Sequence, residues 1–182
     1  MEQIKDEELV KLACNGDAVA FKQLIERHYM TIYKMAYKWI GNKEDAEEIA
    51  QEASIKLANN LSSFRHDAAF TSWLYRLVVN TAKDYVRKKN RQRDHELPIY
   101  EDVEFIAPKA DQEAQLQTKQ TLKFLDKLPD KIKAAVILVC WEGLNHKEAS
   151  IILECKESTV SWRIHEARKL MAEVAGKGVH YG

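Results

Sequence analysis

The stretch that decides the fold runs from residue 70 to residue 93 and reads FTSWLYRLVVNTAKDYVRKKNRQR. Apolar side chains recur along it at intervals of three and four residues, which places them on one face of an α-helix. These positions are Trp73, Leu74, Leu77, Val78, Thr81 and Tyr85. The sequence therefore predicts one long helix with a buried face, within a fold built from helices.

A second face of the same predicted helix carries cations and amides. Its members are Arg76, Asn80, Lys83, Arg87 and Asn90 or Arg91. A helix that buries one side and presents such a row on the other is suited to binding a polyanion. Charged rows on helices are more often ordinary solvated surface, so this face alone leaves both interpretations open.

Composition limits the class of protein. The chain has 182 residues, of which 46% are hydrophobic and 31% are charged, as in a soluble helical protein of one ordinary domain or two small ones. Six glycines and three prolines are few for the turns of an all-β fold. The formal net charge is zero, which ordinarily argues against nucleic-acid binding. The charges are segregated along the chain, however, and binding depends on a local patch, so the net charge leaves this function open.

Cysteine and histidine spacing gives no sign of a metal site or an enzyme. Cys14, Cys140 and Cys155 are odd in number and lack C-x-x-C spacing, so we expect small buried hydrophobic side chains in a reducing cytoplasm. The six histidines show neither metal-ligand nor triad spacing. No cofactor is expected. The start of the chain has no apolar signal region, and no apolar run reaches membrane-spanning length, so a cytoplasmic location without membrane insertion is expected.

Helical patterns precede the opening stretch. Asp17 and Gly41 are placed to begin and end a long amphipathic helix, and Asn42 begins the next one. The polar face of that next helix is mostly acidic and comprises Asp45, Glu48, Gln51, Glu52 and Lys56. Such a face is either ordinary solvated surface or a docking face for a basic protein.

The composition changes after Arg93. Residues 94–113 contain seven acidic residues and a single lysine, include Pro98 and Pro108, and keep no helical period. This pattern predicts an acidic flexible linker. Helical patterns resume at residue 114, so the predicted fold is all-α, with small helical domains at 1–93 and 114–182.

The last part of the chain predicts a helix-turn-helix. Asn145 and Glu148 form a capping-box pattern at the start of a short helix, and a second amphipathic helix begins at about Ser158 after a short turn. Its predicted outward and flanking residues are Ser158, Ser161, Trp162, Arg163, His165, Arg168 and Lys169. Arginine and lysine pair with phosphates, while serine, histidine and arginine reach base edges. On this segment alone, an ordinary helical hairpin remains a competing interpretation.

Three segments in this order resemble the sigma-70 family of bacterial transcription initiation factors, specifically its compact extracytoplasmic-function (ECF) group. Residues 45–52, DAEEIAQE, resemble the polymerase-docking motif of that family. The helix-forming stretch with Phe70, Trp73, Asn80, Asp84 and Arg87 resembles its promoter-melting helix, which reads the −10 element. The segments Leu128-Pro129, Gly143-Leu144-Asn145 and Thr159-Val160, with Arg163 and Arg168, resemble its −35-reading module.

This resemblance implies three sets of binding residues. Core RNA polymerase would be bound by Asp45, Glu48, Gln51 and Glu52. The −10 element, in single-stranded form, would be bound by Phe64, Arg65, His66, Arg76, Asn80, Lys83 and Arg87, with the loop 63–69 receiving a flipped base. The duplex −35 element would be bound by Ser158, Ser161, Arg163, His165, Arg168 and Lys169. An anti-sigma factor is a further expected partner, and the acidic linker would lie toward the RNA exit path.

The chain departs from the family pattern at three positions. Lys156 stands where a small capping residue is usual, which suggests that Ser158 caps the last helix instead. Trp162 replaces a small residue and Glu166 a basic one, so the −35 sequence preference does not carry over. Two alternatives remain: a helix-turn-helix regulator that binds DNA without core polymerase, and a sigma-like protein that only sequesters a partner. The docking motif argues against the first, and the basic row of the −10 helix argues against the second.

Overall fold

The structure is a computed structural model that describes residues 4–64, 69–93 and 121–177. Within these ranges the backbone forms helices, turns and loops and no β-strand, which confirms the all-α prediction. The chain divides into two compact units, Met1–Pro98 and Ile99–Gly182, and each is considered by itself. The predicted acidic linker and the predicted helix start at residue 114 lie outside the described residues.

The described residues of the N-terminal unit form four α-helices and one short 3₁₀ turn. They are α1 (Asp6–Cys14), α2 (Ala18–Ile40), α3 (Lys43–Asn60), the 3₁₀ turn Leu61–Ser63, and α4 (Phe70–Arg93). Helix α2 packs against α1, α3 and α4, and α3 also packs against α4. The α2 helix is therefore the centre of this unit, with α3 and α4 side by side along it.

Local capping explains where these helices begin and end. The Asp17 carboxylate accepts hydrogen bonds from the backbone N–H groups of Val19 at 2.8 Å and Ala20 at 3.1 Å. Gly41 adopts a left-handed conformation with φ of 79°, which a residue with a Cβ adopts less readily, and it ends α2. The Asn42 side chain then accepts from the Asp45 N–H at 2.9 Å and begins α3. These caps confirm the boundaries expected from the sequence.

The core of this unit is formed by the apolar faces of α2, α3 and α4. Its large buried side chains include Leu24, Ile32, Met35, Trp39, Ile49, Leu57 and Leu74. Ala46, Ala50 and Ala53 are also fully buried, and their small size lets α3 lie close to its neighbours. Burying each large aliphatic side chain stabilises the fold by about 1.5–3 kcal/mol. The core thus fixes the orientation of α3 and α4, which carry the predicted binding residues.

The C-terminal unit is also helical. Its described elements are α5 (121–126), α6 (Asp130–Val136), a π-helical turn (Ile137–Trp141), α7 (His146–Ile152) and α8 (Glu157–Lys177). Helix α8 packs against both α6 and α7. Helices α7 and α8 are joined by a short turn and form the predicted helix-turn-helix.

The capping box at the start of α7 is present as predicted. The Asn145 side chain accepts from the Glu148 N–H at 2.9 Å, and the Glu148 carboxylate accepts from the Asn145 N–H at 2.8 Å. At the start of α8, the prediction that Ser158 is the capping residue is wrong. The Lys156 carbonyl accepts from Thr159 N–H at 2.9 Å, so α8 begins at Glu157 and Ser158 lies within its first turn.

The cysteines are not buried as the sequence analysis predicted. Cys14 and Cys140 are exposed and Cys155 is half-buried. Cys14 is the last residue of α1. Cys140 lies in the π-helical turn, where the wider i→i+5 spacing rotates side chains away from the positions that an α-helical period gives. This irregular helix geometry accounts for the exposed position of Cys140.

Candidate functional site

Three of the predicted docking residues lie on the solvent side of α3. Glu48 and Gln51 are exposed, and Glu52 is half-buried with its carboxylate 2.9 Å from the Lys56 ammonium. We call Glu48, Gln51 and Glu52 the α3 acidic face. Two carboxylates on one helix surface can meet cationic side chains of a partner protein, and this surface is not covered by the rest of the N-terminal unit.

Asp45 does not belong to the α3 acidic face, and the prediction that it points outward is wrong. The residue is only 7% exposed, because α4 covers it. Its carboxylate accepts hydrogen bonds from the Asn42 side-chain amide at 2.6 Å and from the Tyr85 hydroxyl at 2.7 Å, and it is paired with the Lys89 ammonium. Asp45 therefore joins the start of α3 to the second half of α4.

These contacts set the charge of Asp45. Burial alone would raise the pKa of this carboxyl, but the hydrogen bonds from Lys89, Asn42 and Tyr85 outweigh burial and hold the pKa below its ordinary value. Asp45 is therefore ionised at neutral pH. Together with Lys89 it forms a partly buried ion pair between the two helices that carry the predicted binding residues.

Tyr85 links this ion pair to the α3 acidic face. Its hydroxyl is 2.7 Å from Asp45 Oδ1 and 2.8 Å from Glu48 Oε2, so its one proton is shared between two carboxylates. Burial and these two acceptors raise the pKa of Tyr85 well above its usual value, and the hydroxyl stays protonated. We call Asp45, Tyr85 and Lys89 the α3–α4 polar cluster. The sequence pattern places Tyr85 only in the apolar stripe and gives no sign of its hydrogen bonds to Asp45 and Glu48.

The position of Phe64 also differs from the prediction. It was predicted to touch DNA, but it is only 6% exposed and packs in an aromatic cluster with Phe70 and Trp73. Its ring centroid lies 5.7 Å from that of Phe70 and 5.8 Å from that of Trp73. Phe64 precedes residues 65–68, and Phe70 and Trp73 follow them. The contacts between these rings therefore hold the two ends of the predicted base-binding loop together. Arg65, His66 and the rest of 65–68 lie outside the described residues.

The predicted polar face of α4 is present and is divided in two. Arg76 and Asn80 line an open cleft of about 220 Å³ together with Asn60 and with Ser63, the first residue of the predicted loop. Farther along, the Lys83 ammonium lies 5.9 Å from the centroid of the Trp39 ring, a cation–π distance. Arg87 is exposed.

The cleft brings in one residue that the sequence analysis missed. Asn60 was not assigned to this region, because it lies at the end of a different helix and follows no pattern shared with α4.

In the C-terminal unit, most of the predicted −35 residues lie on the outer side of α8. The exposed members are Ser158, Ser161, His165, Arg168 and Lys169. The Ser161 hydroxyl is 2.8 Å from the His146 Nδ1 atom at the start of α7, so a hydrogen bond fixes one helix of the pair against the other. Hydroxyl, imidazole and cationic groups therefore share one surface of the second helix.

Arg163 is the exception among these residues. It was predicted to flank the outward face, but it is 9% exposed and lies on the side of α8 that also buries Val160, Ile164 and Ala167. Its guanidinium is 3.6 Å from the Cys155 sulfur, in the turn between α7 and α8. The three-, one- and three-residue spacing of these four positions places them on one face of the helix, so Arg163 packs with the buried face of α8 beside the turn.

Across residues 4–64, 69–93 and 121–177, no cluster of three metal-ligating side chains is found. None of the helices in these ranges is both long enough and apolar enough to cross a membrane.

Comparisons with known proteins assign both units to one family. Residues 24–92 match sigma-70 region 2 and residues 119–171 match sigma-70 region 4. The chain is 35% identical over 172 residues to the ECF RNA polymerase sigma factor SigM of Mycobacterium tuberculosis, with 94% of this chain and 85% of that protein covered. It is 32% identical over 178 residues to the ECF RNA polymerase sigma-E factor of Escherichia coli K12, with 92% and 93% covered.

Solved structures show the same fold. CnrH, solved in complex with the cytosolic domain of CnrY, aligns with a TM-score of 0.70 at 22% identity, covering 94% of this chain and 97% of that one. The sigma factor RpoE of Bartonella quintana, solved with the anti-sigma factor NepR, aligns with a TM-score of 0.68 at 22% identity, covering 88% and 98%.

The matches to sigma-70 regions 2 and 4 thus define a transcription initiation factor rather than an enzyme. The chain belongs to the ECF group of the sigma-70 family of RNA polymerase sigma factors, which confirms the resemblance found in the sequence.

Proposed function

We propose that this ECF sigma factor binds core RNA polymerase through the α3 acidic face and opens promoter DNA with the adjacent helix α4. The observation that carries this proposal is the joining of two unlike surfaces. An acidic face on α3 and a face of cations and amides on α4 are held together by the α3–α4 polar cluster. Docking of α3 on a protein therefore places α4 in a defined orientation relative to that protein.

Each surface suits one part of initiation. Separating DNA strands costs about 1.4 kcal/mol per base-pair step. A protein offsets part of this cost by capturing an unstacked base and by holding the strand backbone with cations. In this proposal, Arg76 and Asn80 in the cleft act beside the base captured by loop 63–69, while Lys83 and Arg87 hold the backbone. Asp45 and Phe64 act indirectly, by supporting α3 and the loop.

The predicted C-terminal domain, residues 114–182, is assigned to the duplex −35 element, and the predicted N-terminal domain, residues 1–93, to the −10 element. The exposed groups Ser158, Ser161, His165, Arg168 and Lys169 supply hydrogen bonds to base edges and contacts to phosphates. Residues 94–113 are proposed to be the acidic linker between these two domains.

We further propose that an anti-sigma factor binds this chain and that the protein works in the cytoplasm, where polymerase and promoter DNA are found. Two sigma factors of similar fold, CnrH and RpoE, were solved bound to CnrY and to the anti-sigma factor NepR, which supports this partner class. A regulator that binds DNA without polymerase is the alternative, and it gives the α3 acidic face no role.

Reversing the charge of the α3 acidic face tests the docking assignment. The double substitution Glu48→Lys with Glu52→Lys is expected to weaken binding to core polymerase at least tenfold, because like charges brought together at an interface cost several kcal/mol. The measurement is a titration of fluorescently labelled chain with core polymerase. Glu26→Lys on α2 is the matched control, since Glu26 is an exposed acid of the same unit. Unchanged affinity of the double variant would assign the α3 acidic face to ordinary surface.

A further inference from the structure

Trp162 is an exposed aromatic side chain in the middle of a polar helix surface. It is 57% exposed, although tryptophan is usually packed against its neighbours. Within the described part of the C-terminal unit, no hydrogen bond or aromatic ring contact engages it. A single exposed apolar side chain is common on protein surfaces, so its position among the neighbouring side chains decides what it indicates.

The position of Trp162 on α8 identifies the surface to which it belongs. Ser158, Trp162, His165 and Lys169 are spaced by four, three and four residues, so they lie along one stripe of the helix, and all four are exposed. Trp162 is therefore central in the row that the proposed function assigns to the −35 element. The hydrogen bond between Ser161 and His146 fixes this part of α8 against α7.

The chemistry of base edges indicates what Trp162 meets there. In the major groove, every base presents hydrogen-bond donors or acceptors, and only thymine also presents an apolar group, its C5 methyl. Ser158 and His165 can form hydrogen bonds with neighbouring bases, and Lys169 can contact a phosphate. An indole ring between them makes its most favourable contact with an apolar group, because packing against a methyl removes apolar surface of both groups from water.

We propose that Trp162 is a specificity-determining residue that reads a thymine of the −35 element by packing against its methyl group. This inference rests on the proposed function of α8. It assigns a positive role to the residue that departs most in size from the family pattern, and it predicts a base preference particular to this chain.

Uracil substitution tests this proposal directly, because uracil differs from thymine only by the missing methyl. Holoenzyme made from core polymerase and the full chain selects duplexes from a library with a randomised −35 segment. Each thymine of the selected segment is then replaced by uracil in turn. At one position we expect uracil to weaken binding about fourfold, equivalent to about 0.8 kcal/mol for one buried methyl-sized group.

Variants of Trp162 link that effect to the indole ring. With Trp162→Ala, thymine and uracil duplexes are expected to bind equally at that position, whereas Trp162→Phe keeps most of the preference because a phenyl ring still contacts the methyl. Met171→Ala is the matched control and is expected to keep the full preference. Met171 is 49% exposed and lies nine residues further along α8, on the opposite side of the helix.

Several results would overturn the proposal. An unchanged thymine-to-uracil ratio in Trp162→Ala would exclude a methyl contact, as would a wild-type holoenzyme insensitive to uracil at every −35 position. Weaker binding of Trp162→Ala to core polymerase, with the DNA ratio unchanged, would assign the indole to a protein interface. A holoenzyme that selects no −35 sequence at all would contradict the proposed function of α8 itself.

Discussion

Asp45 lies behind the proposed docking face rather than on it, and this changes what its substitution should do. The carboxylate is held by Lys89, Tyr85 and Asn42 between α3 and α4. Removing its charge leaves the Lys89 ammonium facing a neutral group and weakens the link between the two helices. We therefore expect substitution of Asp45 to lower the stability of the fold. It should weaken polymerase binding only indirectly, by changing the position of Glu48.

We expect Asp45→Asn to lower the free energy of unfolding by about 1.5–3 kcal/mol at pH 7, the range for hydrogen bonds to charged groups. The pKa of Asp45 is lower in the folded than in the unfolded chain. Its contribution is therefore present above the unfolded value of about 3.9 and is lost as the pH falls through the lower folded pKa. Urea unfolding at a series of pH values should show the difference between wild type and variant shrinking in this acidic range.

Asp84→Asn is the control for this measurement. The Asp84 carboxylate is 61% exposed and 3.7 Å from the Lys56 ammonium, so its loss should change stability by less than about 1 kcal/mol. Equal unfolding midpoints for wild type and Asp45→Asn at pH 7 would show that the α3–α4 polar cluster does not stabilise the fold.

Asp45, Phe64 and Arg163 also show what a single helix pattern cannot reveal. Asp45 is covered by Tyr85 and Lys89, which lie 40 and 44 residues away in the sequence. Phe64 is buried by rings that follow the loop, and Arg163 by the turn that precedes α8. All three residues were expected to face outward, and in each case the groups that bury the residue belong to another segment of the chain.

Helix α4 is the element on which the DNA-opening proposal depends. Its apolar stripe was predicted in part: Leu74, Val78 and Thr81 are buried, Trp73 and Leu77 are half-buried, and Tyr85 at the edge is part of a polar link. Its polar face was predicted as one row, but the packing of Lys83 over Trp39 sets that residue apart from the exposed Arg87. Local spacing was sufficient for the stripe, and contacts with α2 and α3 determined the rest.

Phosphate contacts from α4 should appear in the salt dependence of promoter binding. Replacing Lys83 and Arg87 together with alanine is expected to weaken holoenzyme binding and to reduce the slope of log K against log salt by roughly one unit per lost contact. The measurement is an equilibrium titration of promoter DNA at several KCl concentrations. Lys34→Ala on α2 removes an exposed cation from the same unit and should leave the slope unchanged. A wild-type slope in the double variant would remove these two residues from the DNA-binding face.

Capping signals were the most informative local features of the sequence. Asp17, Gly41 and the Asn145–Glu148 pair marked helix ends correctly, because each acts on a backbone group within a few residues. The π-helical turn at Ile137–Trp141 had no comparable signal, so the outward position of Cys140 was not found. Short-range hydrogen bonding was readable from the chain, and irregular helix geometry was not.

At the scale of the whole molecule, the chain combines two helical units with different tasks. In the proposed function, one unit offers an acidic face for binding polymerase beside a strand-separating helix, and the other offers a helix-turn-helix for duplex DNA. Neither task alone would start transcription at a chosen site. The central claim is that promoter melting by this protein requires core polymerase docked on the α3 acidic face.

Permanganate footprinting tests that claim most directly, because permanganate oxidises thymines that have lost their stacking partners. The promoter is the sequence selected by the holoenzyme. We predict reactive thymines in the −10 region when the chain and core polymerase are both present, and none with either alone. Reactivity should fall with Glu48→Lys and Glu52→Lys but not with Glu26→Lys. Duplex binding by the chain alone, with no polymerase association and no reactive thymines, would contradict the account.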